Sequence, residues 1–221
     1  MKVVAVVPAR GGSKGIKNKN LYHVNGMPLI GYSLKTALAC SDINSIFVSS
    51  DCDSILDYSK TFQGVSTLKR PSELATDDAS SVDVLLHLLS EIKGEKFTHV
   101  LYLEPTSPFR SLSTINKSIE KLKYCKSTIT VVESDGIYGH IEGELFKPFI
   151  ADEARRRQDR RMKYKECSVV YGLDIENFEK TKMISDKYAY PIVIDELEAL
   201  DINNYNDISY MEYILASGKV L

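Results

Sequence analysis

Residues 3–7, Val-Val-Ala-Val-Val, carry no polar side chain, and the chain passes from them straight into a loop crowded with glycine and positive charge. A short unbroken apolar run of this kind reads as a strand buried on both faces, the pattern of a parallel sheet covered by helices. Arg10, Lys14, Lys17 and Lys19 then follow, interleaved with Gly11, Gly12 and Gly15. Glycine lets main-chain N–H groups approach a ligand closely, and cations offset the charge of a polyanion. Strand, basic glycine-rich loop and helix form the arrangement that holds a phosphate-bearing ligand at the carboxyl end of a parallel strand. A solvated basic turn is the other reading, and both stay open for Lys14 and Lys17.

Two common phosphate loops are excluded. The segment from Gly11 to Gly15 has neither the G-x-x-x-x-G-K-[ST] spacing nor G-x-G-x-x-G, and Ser50-Asp51 after the second strand does not by itself define a dinucleotide site.

A chain of 221 residues with 43% apolar and 26% charged side chains can bury one sizeable core. Its net charge of −2 argues against a dedicated nucleic-acid binder. No apolar run approaches the roughly 20 residues needed to span a bilayer. The first residues read as a buried strand, not a signal peptide, because a phosphate-type loop follows at once. Cys40, Cys52, Cys125 and Cys167 lack C-x-x-C pairing, and His23, His87, His99 and His140 lack metal-binding spacing. Free thiols in a reducing cytoplasm are expected, and a zinc site is not.

Short apolar runs alternate with helical patterns, which predicts an α/β fold with a mainly parallel sheet flanked by helices. Strands are expected at residues 3–7, 46–49, 65–68, 100–103, 128–132, 168–173 and 191–194. Helices are expected at 28–40, from Asp53 as a cap to about 62, and at 80–92, 113–124, 174–180 and 205–216. Val82, Leu85, Leu86, Leu89 and Ile92 form the apolar stripe of the third helix, with His87 off it at the surface. From about 134 to 165 the pattern breaks down, and the chain then returns to the sheet. This predicts one domain, residues 1–221, with an inserted arm at about 135–165.

Several blocks of sequence carry more specific information. The first is Ala9-Arg10, Ser13-Lys14-Gly15 and Lys19-Asn20-Leu21. The second is Lys69-Arg70-Pro71-Ser72-Glu73-Leu74-Ala75 with Asp77-Asp78-Ala79-Ser80-Ser81. The third is Leu103-Glu104-Pro105-Thr106-Ser107-Pro108-Phe109-Arg110, and the fourth is Asp201-Ile202-Asn203. Together and in this order they resemble the CMP-sialic acid synthetases. These are acylneuraminate cytidylyltransferases, relatives of the CMP-KDO synthetases among the nucleotide-sugar pyrophosphorylases. The resemblance implies a Rossmann-like sheet of the nucleotide-diphospho-sugar transferase type with a small dimerisation arm.

What the resemblance implies about residues can be carried over block by block. Arg10 and Lys19 would contact the triphosphate, with Asn20, Ala9, Gly11, Gly12 and Ser13 completing the loop around the nucleotide. An arginine offers a bidentate fork, whereas a lysine is a point charge suited to the α-phosphate. Arg70 and Ser81 would bind the cytidine portion, although Ser80 or Ser81 also reads as an N-cap of the next helix. Glu104, Thr106 and Ser107 would lie against the sugar. The family carries glutamine where this chain has Glu104, and an ionised carboxylate accepts hydrogen bonds without donating them. This predicts a nonulosonic acid other than plain N-acetylneuraminate, one with a donor or cationic substituent.

The family's D-I-D is Asp201-Ile202-Asn203 here, so Asp201 and Asn203 would hold Mg²⁺ with one charge fewer, and Asp207 reads as a first-turn residue of the last helix. The basic run from Arg155 to Lys165 reads cold as a nucleic-acid or membrane surface or a solvated face. The resemblance places Arg157 and Lys165 in an arm that dimerises and reaches the partner's site.

The implied reaction joins CTP and a nine-carbon 2-keto sugar acid into a CMP-sugar and pyrophosphate, with catalytic roles for Arg10, Lys19 and Asp201 in a cytoplasmic homodimer that binds neither nucleic acid nor membrane. No motif places a histidine base. The alternatives are a GTP-using nucleotidyltransferase for a legionaminic-type sugar, and a non-catalytic RNA- or anion-binding protein using the basic run. A KDO-directed enzyme is disfavoured because P-A-D-G-D is absent from the fourth strand.

Overall fold

A computed structural model of the chain describes residues 1–76, 78–185 and 187–218; Asp77 of the second sequence block lies outside them. The opening apolar run becomes β1 (Val3–Pro8), buried along its whole length. Successive strand residues face opposite sides of a sheet. Val3, Ala5 and Val7 accordingly enter one core cluster, and Val4 and Val6 the other. A strand covered on both faces has no solvent side, which is why no polar residue interrupts it.

After the glycine-rich loop come a two-residue antiparallel pair, β2 (His23–Val24) and β3 (Met27–Pro28), then α1 (Leu29–Ala39). β4 (Ser45–Ser50), α2 (Asp53–Lys60) and β5 (Val65–Lys69) continue the βαβ rhythm, followed by α3 (Ser81–Glu91), β6 (His99–Tyr102) and α4 (Leu112–Lys121). β7 (Ser127–Ser134) leads into the hairpin of β8 (Gly139–Glu142) and β9 (Leu145–Pro148). The chain re-enters the sheet as β10 (Lys163–Asp174) and ends with α5 (Ile175–Thr181), β11 (Tyr190–Ile194) and α6 (Tyr205–Ala216).

Seven strands form the main sheet in the order β11-β7-β10-β6-β1-β4-β5. All neighbours are parallel except β10, which runs antiparallel to both β6 and β7. The 12-residue β10 is twice as long as the strand expected at 168–173, because its first half pairs with the end of β7 beyond the core. A register shift between Cys167 and Tyr171 separates the halves. There the Thr130 hydroxyl accepts the Val169 and Val170 N–H groups, both at 3.2 Å, and donates to the Cys167 carbonyl at 2.6 Å.

α1 and α4 cover one face of the sheet through Ile30, Leu34, Ile115 and Ile119; α3 and α5 cover the other through Leu85, Leu88 and Phe178. A third cluster matters most for the site. Ile16 of the glycine-rich loop packs with Ile202, Ile208 and Met211, which fastens the loop to the C-terminal segment.

Three local expectations change. Asp53 is not a cap; it follows the N-cap position Cys52, and its carboxylate turns to Lys69 Nζ at 2.5 Å. The buried stripe of α3 runs through Val84, Leu85, Leu88 and Leu89, while Val82 and Leu86 are only half-buried. His87 is half-buried as well, not at the surface, and its Nδ1 is enclosed.

Candidate active site

The carboxyl ends of β1, β5 and β6 open into one cleft of about 390 Å³. Arg10, Lys14 and Lys19 reach it from the loop after β1, Arg70 from the end of β5, Ser81 from the start of α3, Glu104 and Thr106 from the turn after β6, and Asn203 from the approach to α6. Ser13 and Asn20 also line it. The loop is shaped by close approach: a Cβ on Gly15 would collide with the main-chain oxygen of Asn203. Only glycine allows that contact.

Lys19 begins a short 3-10 turn whose N-cap, Asn18, takes a left-handed φ of 53°. Its Nζ donates to the Ile202 carbonyl at 2.9 Å. Burial pushes its pKa below the ordinary lysine value, with Asp201 and Glu104 pulling back and Arg10 adding to the depression. Asn20 is buried, and its amide nitrogen donates to the Arg10 carbonyl at 2.9 Å. It therefore holds the loop's main chain while facing the cleft.

Arg70 is only 5% exposed. Its Nη2 lies 3.9 Å from Asp51 Oδ1, and its Nε is enclosed without a partner. A buried guanidinium N–H that the protein leaves unmatched calls for an acceptor from a ligand. Ser80, not Ser81, caps α3: its hydroxyl accepts the Asp83 N–H at 3.1 Å in a capping box, which leaves Ser81 to the cleft.

Glu104 lies two residues beyond β6 and lines the cleft. Burial first, and the Asp201 charge second, push its pKa up to about 7, against the pull of Arg110, Lys19 and Arg70. Its main chain is fixed by the buried Arg110, which donates to the Glu104 carbonyl at 2.7 Å, the Val169 carbonyl at 2.6 Å and the Ser33 hydroxyl at 3.0 Å. Enclosure lowers the Arg110 pKa to about 10. The Thr106 carbonyl accepts the Ile202 N–H at 2.8 Å, joining this turn to the segment of Asp201 and Asn203. Ser107 is buried and turned away; its hydroxyl donates to the Ser168 carbonyl at 3.3 Å, so it shapes the turn from behind.

Asp201 and Asn203 lie side by side, the Asn203 amide donating to Asp201 Oδ2 at 2.7 Å. Asp207 lies in the first turn of α6, as expected, and closes a capping box with the N-cap Asn204: its Oδ2 accepts the Asn203 and Asn204 N–H groups, both at 2.8 Å. Among the described residues no three acidic, histidine or cysteine side chains cluster as a preformed metal site. Oxygen donors carrying one charge suit a hard cation completed by phosphate oxygens and water. Ligation by Asn203 would require its amide to rotate so that the oxygen faces the ion.

Ala9 is buried in the core, Gly11 is half-buried and Gly12 is exposed, and none of the three lines the cleft. Arg157 and Lys165 are not brought to the cleft of their own chain. Arg157 pairs with Asp135 beside a second cavity of about 830 Å³ under β11, and Lys165 lies exposed on β10 opposite Val132. Sequence reasoning missed Tyr102, whose hydroxyl meets Ser81; as the last residue of β6 it could have been found from its strand-end position.

Cations at the carboxyl ends of parallel strands thus share one cleft with Glu104 and with Asn203 from the far end of the chain, while Asp201 stands beside Asn203 without lining it. The chain belongs to the cytidylyltransferase family, whose profile matches residues 4–202. It is 27% identical to the CMP-N,N'-diacetyllegionaminic acid synthase of Legionella pneumophila, with 97% of each chain covered. It is 26% identical to the N-acylneuraminate cytidylyltransferase of Escherichia coli O18:K1:H7 and 29% identical to that of Streptococcus agalactiae serotype V. Those matches take in 93% and 96% of this chain but 50% and 52% of the relatives, so the chain spans about half their length. In fold it is similar to a CMP-2-keto-3-deoxy-manno-octonic acid synthetase solved with CTP, at a TM-score of 0.77 and 12% identity, covering 99% of this chain and all of that one.

Proposed function

We propose that the protein transfers the cytidylyl group of CTP to a nonulosonic acid, giving a CMP-sugar and pyrophosphate. The observation that carries this reading is the meeting of Arg10, Lys19 and Arg70 with Glu104 and Asn203 in one cleft. The base-binding end is formed by Arg70 and Ser81, and the enclosed Arg70 Nε awaits an acceptor such as a pyrimidine carbonyl. The relatives are named as CMP synthases and cytidylyltransferases, which supports CTP over GTP.

The anomeric hydroxyl of the sugar attacks the α-phosphorus, giving up its proton to solvent, and the α–β phosphoanhydride breaks as pyrophosphate leaves. Such displacement needs alignment and charge neutralisation more than covalent help. Arg10 and Lys19 stabilise the charge growing on the phosphates, and the Lys19–Ile202 bond fixes the ammonium beside the Asp201 segment. Mg²⁺ held by Asp201, with Asn203 beside it, would supply further charge neutralisation. None of the four histidines lines the cleft, so no imidazole base is assigned. Glu104 faces the acceptor sugar, and in its ionised form, the major one above about pH 7, it favours a hydrogen-bond donor or a cation there.

The arm supports a homodimer. Ile141, Leu145 and Phe149 are about two-thirds exposed, at 68%, 67% and 70%, a concentration of apolar surface that monomers rarely leave in water. On this reading the hairpin is buried against a second copy, and the partner's Arg157 and Lys165 would meet the sugar carboxylate. Four free thiols support a reducing, cytoplasmic setting, and no described helix is long and apolar enough to cross a membrane. The test is pyrophosphate release from four nucleoside triphosphates crossed with a panel of nine-carbon acids; turnover confined to CTP and such acids is expected, and none with any pair refutes the reading.

A further inference from the structure

Asp51 does not line the cleft, and no role in the reaction proposed above falls to it. It stands just beyond β4, where that strand is tied to both neighbours: Ala9 N–H donates to the Ser49 carbonyl at 2.9 Å, and Arg70 N–H to the Ser50 carbonyl at 2.8 Å. The next side chain along, Asp51, repeats the bridge with a single oxygen. Its Oδ1 accepts the Gly11 N–H at 2.9 Å and lies 3.9 Å from Arg70 Nη2. Gly11 belongs to the phosphate-facing loop, and Arg70 is the nearly enclosed cation at the base-binding end.

The contact with the loop is tight. A Cβ on Gly11 would stand 2.8 Å from the Cys52 Cβ, so the loop lies directly on the Asp51-Cys52 turn. The contact with Arg70 is electrostatic. Desolvation acts against the guanidinium, and among the neighbouring charges Asp51 opposes it most. An enclosed cation deprived of its counter-charge is destabilised and loses its fixed orientation.

We infer that Asp51 is a positioning residue that locks the loop after β1 to Arg70, so that the groups meeting the triphosphate and the base keep a fixed spacing. The inference rests on the CTP reading above. Its two contacts separate chemically: asparagine keeps an oxygen for Gly11 but removes the charge facing Arg70, whereas alanine removes both.

The test is calorimetric titration of the full chain with CTP, UTP and inorganic tripolyphosphate, together with KM values for CTP and the sugar acid. Asp51→Asn is expected to weaken CTP about tenfold, the loss of one charged contact. It should also narrow the CTP-to-UTP ratio while leaving tripolyphosphate and the sugar KM within about twofold of wild type. Asp51→Ala should weaken tripolyphosphate as well. In an Arg70→Gln background, which has no charge for Asp51 to face, Asp51→Asn should add less than about a twofold loss, a comparison that stands even if Asp51→Ala does not fold. Unchanged CTP affinity and base preference in Asp51→Asn, or equal losses of CTP and tripolyphosphate, would overturn the inference. If the wild type binds tripolyphosphate but not CTP, the CTP reading fails instead. Asp51 is then judged by tripolyphosphate alone, with a weaker Asp51→Ala than Asp51→Asn supporting the Gly11 lock and equality overturning it.

Discussion

Lys19 Nζ donates to the main-chain carbonyl of Ile202 at 2.9 Å across a separation of 183 positions. The bond sets the loop's ammonium against the two residues, Asp201 and Asn203, that flank its acceptor. A cation from the first loop and an acid from the last segment are thereby held as one unit, before any ligand arrives.

Lys19→Ala is expected to lower kcat by about 100-fold or more, the scale for losing a charge aimed at the transition state, with little change in Tm. Steady-state pyrophosphate release and a thermal melt check it. Because burial holds the Lys19 pKa below 10.5, its proton is lost at lower pH than from an ordinary lysine. Activity should therefore fall on the alkaline side below pH 10.5, and Lys19→Arg should move that limb upward. A Lys19→Ala enzyme with wild-type turnover would remove the role.

Gly15→Ala places a methyl group against the Asn203 main chain, whereas a Cβ on Gly12 meets nothing within 4 Å. Overpacking at Gly15 should cost about 1–3 kcal/mol in urea unfolding, and Gly12→Ala about 0.5 kcal/mol or less. Equal effects at the two glycines would contradict the close approach.

Glu104 titrates near 7 in the folded protein against an ordinary 4.5. The folded state therefore binds the proton more tightly than the unfolded chain between those values, and stability falls as pH rises from about 4.5 to about 7, then levels. Glu104→Gln removes that slope. Since the side chain keeps some contact with water, its stability relative to wild type should rise by about 1–3 kcal/mol between pH 4 and pH 8. Urea titrations at both pH values decide it; a difference that does not change with pH counts against the shift.

The same variant tests substrate choice. An amide at 104 donates as well as accepts, so Glu104→Gln should raise kcat/KM for N-acetylneuraminate relative to a diamino analogue by about tenfold. Wild-type enzyme that already turns over N-acetylneuraminate as well as the analogue would refute the proposed selection.

Phe146→Asp introduces a charge into the exposed apolar hairpin, where Phe146 is 53% exposed. Sedimentation should show a dimeric wild type and a monomeric variant. Mixing Lys19→Ala and Arg157→Ala proteins, each impaired alone, should restore part of the activity if Arg157 serves the partner's cleft. No recovery after subunit exchange would confine Arg157 to its own chain.

Much of the fold was legible from local pattern. The run at 3–7 marked a strand with two buried faces, and α6 begins and ends where its periodicity places it, at Tyr205 and Ala216. The direction of β10 was not legible, because apolar residues that mark a strand say nothing of which way it runs between β6 and β7. The blocks around Arg10, Lys19, Arg70 and Ser81 pointed to residues that do line the cleft. Ser107, in the same motif as Glu104, turns to the Ser168 carbonyl, since the backbone of a tight turn sends neighbouring side chains in different directions.

The sequence alone determined the strand–loop–helix rhythm, the glycines and cations of the first loop, and the family they belong to. These are properties of neighbouring residues, written in spacing and side-chain type. Tertiary structure alone decided that Gly15 presses on Asn203, that one oxygen of Asp51 serves both Gly11 and Arg70, and that Arg110 ties three separate segments beneath Glu104. Such contacts join distant parts of the chain, and their geometry exists only once the sheet has brought the ends of its strands to one edge.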